Sequence, residues 1–174
     1  MNSIPELLII TASNGENLKL AEKLKNIANE MELKNKLIDL TEYKIPLYNP
    51  RIHKQYGVPN EIQSLTKVLN QYSHWIICAP EYNGSIPPIL TSLIAWLSVQ
   101  GDDFRTLFNG RPIALATHSG GAGIELIVSL RIQLTHLGAQ VLGRHLSSSN
   151  SNPVKTKSMK EVIFKLSQMK KLSN

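Results

Sequence analysis

Short apolar runs alternate with stretches of helical periodicity along this chain. Leu7–Ile10 is a run of four apolar residues, followed by "TASNGEN" and then by Leu20, Ala21, Leu24, Ile27, Ala28 and Met31, which share one helical face. The order strand, tight loop, helix then recurs. "KLIDL" predicts a second strand, and "PNEIQSLTKVLNQ" a helix with Pro59 near its first turn and Ile62, Leu65, Val68 and Leu69 inward. "WIICA" predicts a third strand, and "PPILTSLIAWLS" a helix with Ile89, Leu90, Leu93, Ile94 and Leu97 inward. "PIALAT" follows as a strand, "GIELIVSLRIQLTHLG" as a helix ending at Gly138, and "AQVLG" as a last strand. The final helix turns Met159, Val162, Ile163, Leu166 and Met169 inward.

The strands are short and mostly non-alternating, the pattern of a parallel sheet covered on both faces. Right-handed crossovers then give an α/β fold, a doubly wound three-layer sandwich, and five parallel strands fit the flavodoxin-like order 2-1-3-4-5. Two segments break the rhythm. "TEYKIPLYNPRIHKQYGVP" predicts a long irregular connection, and "SSSNSNPV" a polar loop before the last helix. No repeat or linker marks a boundary, so residues 1–174 are expected to form one domain.

Composition narrows the function classes. The 174 residues carry 42% apolar side chains and a net charge of +6. No apolar run approaches a membrane span, and the start "MNSIPELLII" lacks a basic stretch before a long apolar segment, so a cytoplasmic protein without membrane attachment is expected. The lysines lie along amphipathic helices with no interleaved aromatics, which argues against nucleic acid and fits a small anionic ligand. Cys78 is the single cysteine, expected as a small buried hydrophobe, and the five histidines are scattered, so no metal is expected.

In such a sheet the ligand crevice lies beyond the carboxyl ends of the strands, where strand order reverses. Three loops should meet there. In the first, Thr11, Ser13, Gly15 and the helix start make either a phosphate nest or an ordinary N-cap turn. In the second, Tyr82 sits between Pro80 and Pro87, where it either flanks a flat heterocycle or caps the core, and Gly84 lets backbone approach a ligand. In the third, Ser119, Gly120 and Gly121 offer backbone donors, and His118 is either a proton source or a plain loop residue.

The stretch "APEYNGSIPPILTSLIAWLS" closely resembles the signature of the NADPH-dependent FMN reductases, a flavodoxin-like family of flavin, quinone, azo and chromate reductases. Pro80, Glu81, Tyr82, Asn83, Gly84, Ser85, Pro87, Trp96 and Ser98 match its run, as do Leu130-Arg131 and Leu137-Gly138-Ala139 further on. The first loop keeps Asn17 but is shorter than the family's and carries no arginine, and Pro88 stands where the family has glycine.

The resemblance implies bound FMN, with NADPH or NADH as electron donor and a quinone, flavin, azo compound or similar small molecule as acceptor. It assigns Thr11, Ser13, Gly15, Glu16 and Asn17 to the phosphate end. Pro80, Glu81, Tyr82, Asn83, Gly84 and Ser85 fall to the ring, and His118, Ser119, Gly120 and Gly121 to its pyrimidine edge. No side chain is expected to act as an essential acid or base, since the cofactor carries the chemistry. A flavodoxin-like electron carrier and a non-catalytic flavin-binding module are the alternatives. Relatives pair as dimers or tetramers, so a homodimer is expected. Its surface would be an exposed Trp96 beside Ile86, with "IPLYNPRIHKQY" reaching toward the partner's flavin.

Overall fold

In the computed structural model, which describes residues 6–172, six parallel strands are flanked by six α-helices. Residues 1–5, read above for a leader segment, lie outside the described residues. Strand β1 (Leu7–Thr11) leads into α1 (Glu16–Glu30), then β2 (Asn35–Asp39), α2 (Pro50–Tyr56), α3 (Asn60–Asn70) and β3 (His74–Cys78). Next come α4 (Pro88–Ser98), β4 (Pro112–His118), α5 (Ile124–His136), β5 (Gln140–Val141), β6 (Leu146–Ser148) and α6 (Thr156–Ser167). The sheet order is β2-β1-β3-β4-β5, the flavodoxin-like order, with β1 between β2 and β3 in direct register from Leu7↔Asn35 and Leu7↔His74.

Side-chain alternation along buried strands divides the core. Leu8 and Ile10 face α3, α4 and α5, whereas Leu7 and Ile9 face α1 and α6, together with Ile76 and Cys78. Cys78 is a buried free thiol, and burial raises its pKa, so it stays protonated and inert.

Three expectations need correction. The sheet has six strands rather than five, because the last one is split: Pro112 and Ile113 pair with β5, while Ala116, Thr117 and His118 pair with β6. The chain leaves the ladder at Gly143, where Arg131 donates to the carbonyls of Leu142 (2.9 Å) and Gly143 (3.2 Å) and holds the break open. Part of the expected polar loop is therefore strand.

The long connection is not irregular throughout. It holds a short 3-10 turn at Leu40–Glu42 and then α2, which starts where Asn49 Oδ1 accepts from the Arg51 amide at 2.8 Å and Pro50 takes the first turn. Gly57, at φ 74°, ends it.

Trp96 is not exposed. Its accessibility is 0%, its Nε1 donates to the Pro46 carbonyl at 2.8 Å, and Tyr48 packs edge-on at 4.9 Å. Ser92, one helical turn earlier on α4, donates to the same carbonyl (2.9 Å) and accepts from the Tyr48 amide (2.7 Å). The segment 43–53 is thus a strap over its own α4, hooked by two side chains of one helical face, and it buries the Trp96 flank of that helix.

The amino end of the sheet carries a pH-sensitive group. His74 is buried, its Nε2 donates to the Met169 carbonyl (2.8 Å), and its Nδ1 pairs with Ser73 Oγ (2.7 Å). Burial lowers its pKa, and nearby Arg111 lowers it further. The unfolded chain therefore takes up a proton, at about pH 6.5, that the fold excludes. Stability is full above that pH and falls as pH drops toward the folded value. His145 is shifted in the same direction by burial and Arg131. Urea midpoints should decline from about pH 7 to about pH 5, and His74→Gln should flatten the decline.

Candidate functional site

The crevice begins where β1, β3 and β4 end. The strand tips are tied by Ala12 N–H to the Cys78 carbonyl (2.9 Å) and Ala79 N–H to the Ala116 carbonyl (3.0 Å), so the three following loops emerge side by side.

The first loop folds on itself. Thr11 is fully buried, and its hydroxyl donates to the Ser13 carbonyl at 2.8 Å, closing a tight turn. Gly15 stands at the N-cap of α1, and its carbonyl takes the amides of Leu18 and Lys19, at 3.0 and 3.2 Å. The amides before Leu18 therefore lack intrahelical acceptors and gather at the positive end of the helix dipole. Glu16 is exposed and paired with Lys19 at 2.6 Å; that hydrogen bond holds its carboxyl below the usual range.

Asn17 is 2% exposed, and its side-chain amide acts as a peptide mimic. Nδ2 donates to the His118 carbonyl and Oδ1 accepts from the His118 amide, both at 2.8 Å. First and third loops are thereby locked in one register.

The second loop is a two-residue hairpin. Tyr82 and Ser85 exchange amide-to-carbonyl bonds at 3.1 and 3.0 Å, with Asn83 at φ 52° and Gly84 at φ 67°. Those two positive values are the requirement of a type I′ turn, and Asn-Gly is the pair that meets it. The tip from Tyr82 to Ser85 is exposed between buried Pro80 and Pro87, with Tyr82 at 49%. Pro88 takes the first position of α4, where a proline is at home, so the substitution leaves the helix start intact.

Glu81 joins second and third loops. Its amide donates to Ser119 Oγ (3.1 Å), and its Oε2 accepts from the Leu126 amide (3.1 Å) in the first turn of α5. The carboxylate thus caps a helix whose own N-cap, Gly123, offers no side chain. Ser119 Oγ also pairs with Thr117 Oγ1 at 2.8 Å. Gly123 is obligatory by both conformation and space: φ is 65°, and a Cβ would lie 2.8 Å from Thr117 Cγ2.

The sequence-derived residues are brought together, but they divide by task. Asn17, Glu81 and Ser119 tie one loop to another with their side chains, and Thr11 closes its own. Ser13, Gly15, Tyr82, Asn83, Gly84, Ser85, Gly120 and Gly121 remain on the open side. The imidazole of His118 turns to Asn150 (Nε2 to Oδ1 3.2 Å), while its peptide belongs to the third loop. The clamp roles of Asn17 and Glu81, and the need for Gly123, were not legible beforehand; Asn83-Gly84 was the overlooked signal of a tight hairpin.

A cleft of about 570 Å³ opens along Glu81, Tyr82, Asn83, Ser85, Ile86 and Pro88, within the range of cofactor sites. A flat ring with a phosphate tail fits this edge. A Cβ added at Gly15, Gly84, Gly120 or Gly121 would meet nothing within 4 Å, so backbone from all three loops borders open space. The helix-start amides of α1 supply donors for an anion at one end.

Comparison with known proteins bears on the family and the fold. The family described as NADPH-dependent FMN reductase matches residues 5–153. The quinone reductase of Escherichia coli (strain K12) is 32% identical over 102 residues, 58% of this chain and 53% of the relative. The chain thus spans about half the length of the curated relatives it matches. Among solved structures, the flavoenzyme NAD(P)H:(acceptor) oxidoreductase FerB from Paracoccus denitrificans superimposes with a TM-score of 0.77 at 18% identity, covering 95% of this chain and 97% of that one. A flavodoxin from the domain Archaea gives 0.59 at 12% identity, covering 94% and 92%. At these identities the structural likeness speaks for the fold.

Proposed function

The chain belongs to the NADPH-dependent FMN reductase family, and on that premise we propose that it is a flavin oxidoreductase that holds FMN across the three strand tips and uses NADPH or NADH to reduce a small-molecule acceptor. The observation that carries this reading is the pairing, along one sheet edge, of a donor-rich helix start with an exposed hairpin tip bordered by Cβ-free backbone. When bound, FMN would supply the redox chemistry, hydride acceptance from a nicotinamide and electron delivery to the acceptor.

The chain's own residues bind and orient. Ser13 and the amides around Gly15 hold the phosphate, and the clamped Thr11 and Asn17 keep those donors aimed. Tyr82, Asn83, Gly84 and Ser85 lie along the ring on a turn too rigid to collapse into the crevice. Gly120 and Gly121 offer backbone to its pyrimidine edge, fixed in place by Glu81 and Ser119. A quinone is the proposed acceptor class, on the likeness to a quinone reductase. The charge of +6 disfavours an electron carrier, because such proteins tend to be acidic where they dock basic partners.

The phosphate assignment is testable with riboflavin, which lacks the anion. Charge-assisted hydrogen bonds should make FMN bind about a hundredfold more tightly. Quenching of flavin fluorescence measures both affinities, and equal values would place the phosphate elsewhere.

Within this reading the enzyme is a cytoplasmic homodimer. Among the described residues no helix is long and apolar enough to cross a membrane. With Trp96 buried, the surface a second copy would cover passes to Leu47 and Ile52 on the strap and Tyr56 at the end of α2, which are 79%, 44% and 71% exposed. Sedimentation should show a dimer that Leu47→Glu with Tyr56→Glu dissociates; a monomeric wild type would contradict the pairing.

A further inference from the structure

A second cleft, of about 190 Å³, lies where α1 faces the loop between β6 and α6. It shares no lining residue with the cleft at the hairpin tip, and of the residues assigned to the flavin only Glu16 and His118 border it. One wall is α1, with Lys19 and Lys23 one turn apart on the same face. Glu16 neutralises Lys19 at 2.6 Å, whereas Lys23 forms no salt bridge among the described residues, so the cleft keeps a net positive charge.

The opposite wall is built from the ends of β4 and β6. His118 and Ser148 are register partners there, and Ser119 N–H donates to the Ser148 carbonyl at 3.0 Å. The His118–Asn150 contact (3.2 Å) uses Asn150 Oδ1 as acceptor, which leaves the Asn150 amide nitrogen as a donor. Ser148 and Ser149 are nearly buried, and their hydroxyls accept from the amides of Val154 (3.3 Å) and Asn152 (3.1 Å), which makes this wall a fixed loop.

We propose that this cleft, beside the flavin crevice, is a second anion site that takes a phosphomonoester. A compact dianion with three acceptor oxygens is the ligand class that ammonium groups on one wall and a side-chain amide N–H on the other recognise together. The volume leaves room beyond the phosphate for part of the group that carries it. Two sources present this chemistry: the 2′-phosphate of NADPH, and free phosphate or a small phosphorylated metabolite. Only the first rests on the function proposed above.

The test uses FMN-loaded protein, so that the first loop is already occupied, and the variant Lys23→Gln. Lys23 is exposed and outside the flavin crevice, so the variant should fold and bind FMN as the wild type does. Calorimetric titration with adenosine 2′-monophosphate and with inorganic phosphate, at low salt, should show binding of both. The two should compete, and Lys23→Gln should weaken each about tenfold.

A matching rise in KM for NADPH, with KM for NADH unchanged, supports the site and assigns it to the donor. Lost phosphate binding with neither KM altered supports it with a free phosphorylated ligand. Absence of binding to the FMN-loaded wild type, or equal binding by Lys23→Gln, overturns the proposal. A chain that takes up no FMN would instead contradict the proposed function, and the same titration on that protein would still decide the cleft.

Discussion

Replacing Asn17 with leucine is expected to weaken FMN binding by about a hundredfold while the chain remains folded. The substitution keeps the volume but removes both hydrogen bonds to the His118 peptide, each 2.8 Å long, and leaves its N–H and C=O without partners in a buried setting. The cost to the fold should be about 2–4 kcal/mol, from two lost bonds and two stranded groups. The larger consequence is expected on the ligand, because the first and third loops lose the link that sets their spacing, and in the proposed pose the phosphate and the pyrimidine edge lie on opposite sides of it. Asn17→Asp keeps the acceptor for the His118 amide but turns an oxygen against its carbonyl, so it should be no milder than leucine. Fluorescence titration with FMN, alongside thermal unfolding, checks both effects. Unchanged FMN affinity in a folded Asn17→Leu protein would show that the loops need no clamp.

Arg111 should give the largest loss of stability and leave the flavin site untouched. It is fully buried, precedes β4 and has no carboxylate partner among the described residues. Nε donates to the Leu107 carbonyl (2.7 Å), Nη1 to the Tyr72 carbonyl and Nη2 to Asn70 Oδ1 (3.4 Å), and the guanidinium lies 4.3 Å from the Trp75 ring centroid. Burial pulls its pKa down to about 10, so it is still a cation at neutral pH. Arg111→Ala opens a cavity beneath Trp75 and strands two carbonyls, at an expected cost of about 3–5 kcal/mol. Lysine should restore little, since a point charge cannot reproduce a planar fork aimed at three acceptors. The seven residues of β4 separate Arg111 from the crevice, roughly 20 Å of strand, so FMN affinity should be unchanged in variants that remain folded. Urea denaturation and flavin titration on the same samples separate the two readouts.

What the sequence made legible, and what it hid, follows from which interactions are local. The runs at β1, β3 and β4 are apolar on both faces, a signature that needs no partner to be read, and the helical faces of α1, α3 and α6 carry their periods openly. Strand β6 escaped because "LSS" is short and polar; it is strand only because β4 extends beyond β5 and offers unpaired backbone there. Helix α2 buries no side chain fully, so it has no apolar period, although its Asn-Pro start and Gly stop were on view. Trp96 was misplaced because a surface helix was expected to have one wet flank, whereas the strap covers that flank and draws its edge from Pro46, 50 residues away.

The site divides along the same line. The glycine- and proline-rich turns were recognisable from composition, and the fold sets them side by side at the strand tips. The tasks of Asn17 and Glu81 depend on residues 101 and 38 positions distant, so no local pattern distinguishes a clamp from a ligand contact.

The most direct test of the account is anaerobic stopped-flow absorbance of the FMN-loaded protein mixed with NADPH and, separately, NADH. An FMN-dependent quinone reductase bleaches its visible flavin band with at least one of the two nucleotides and regains it when a quinone is added, and this is the expected result. A protein that binds FMN at the crevice yet shows no bleaching with either nucleotide would contradict it.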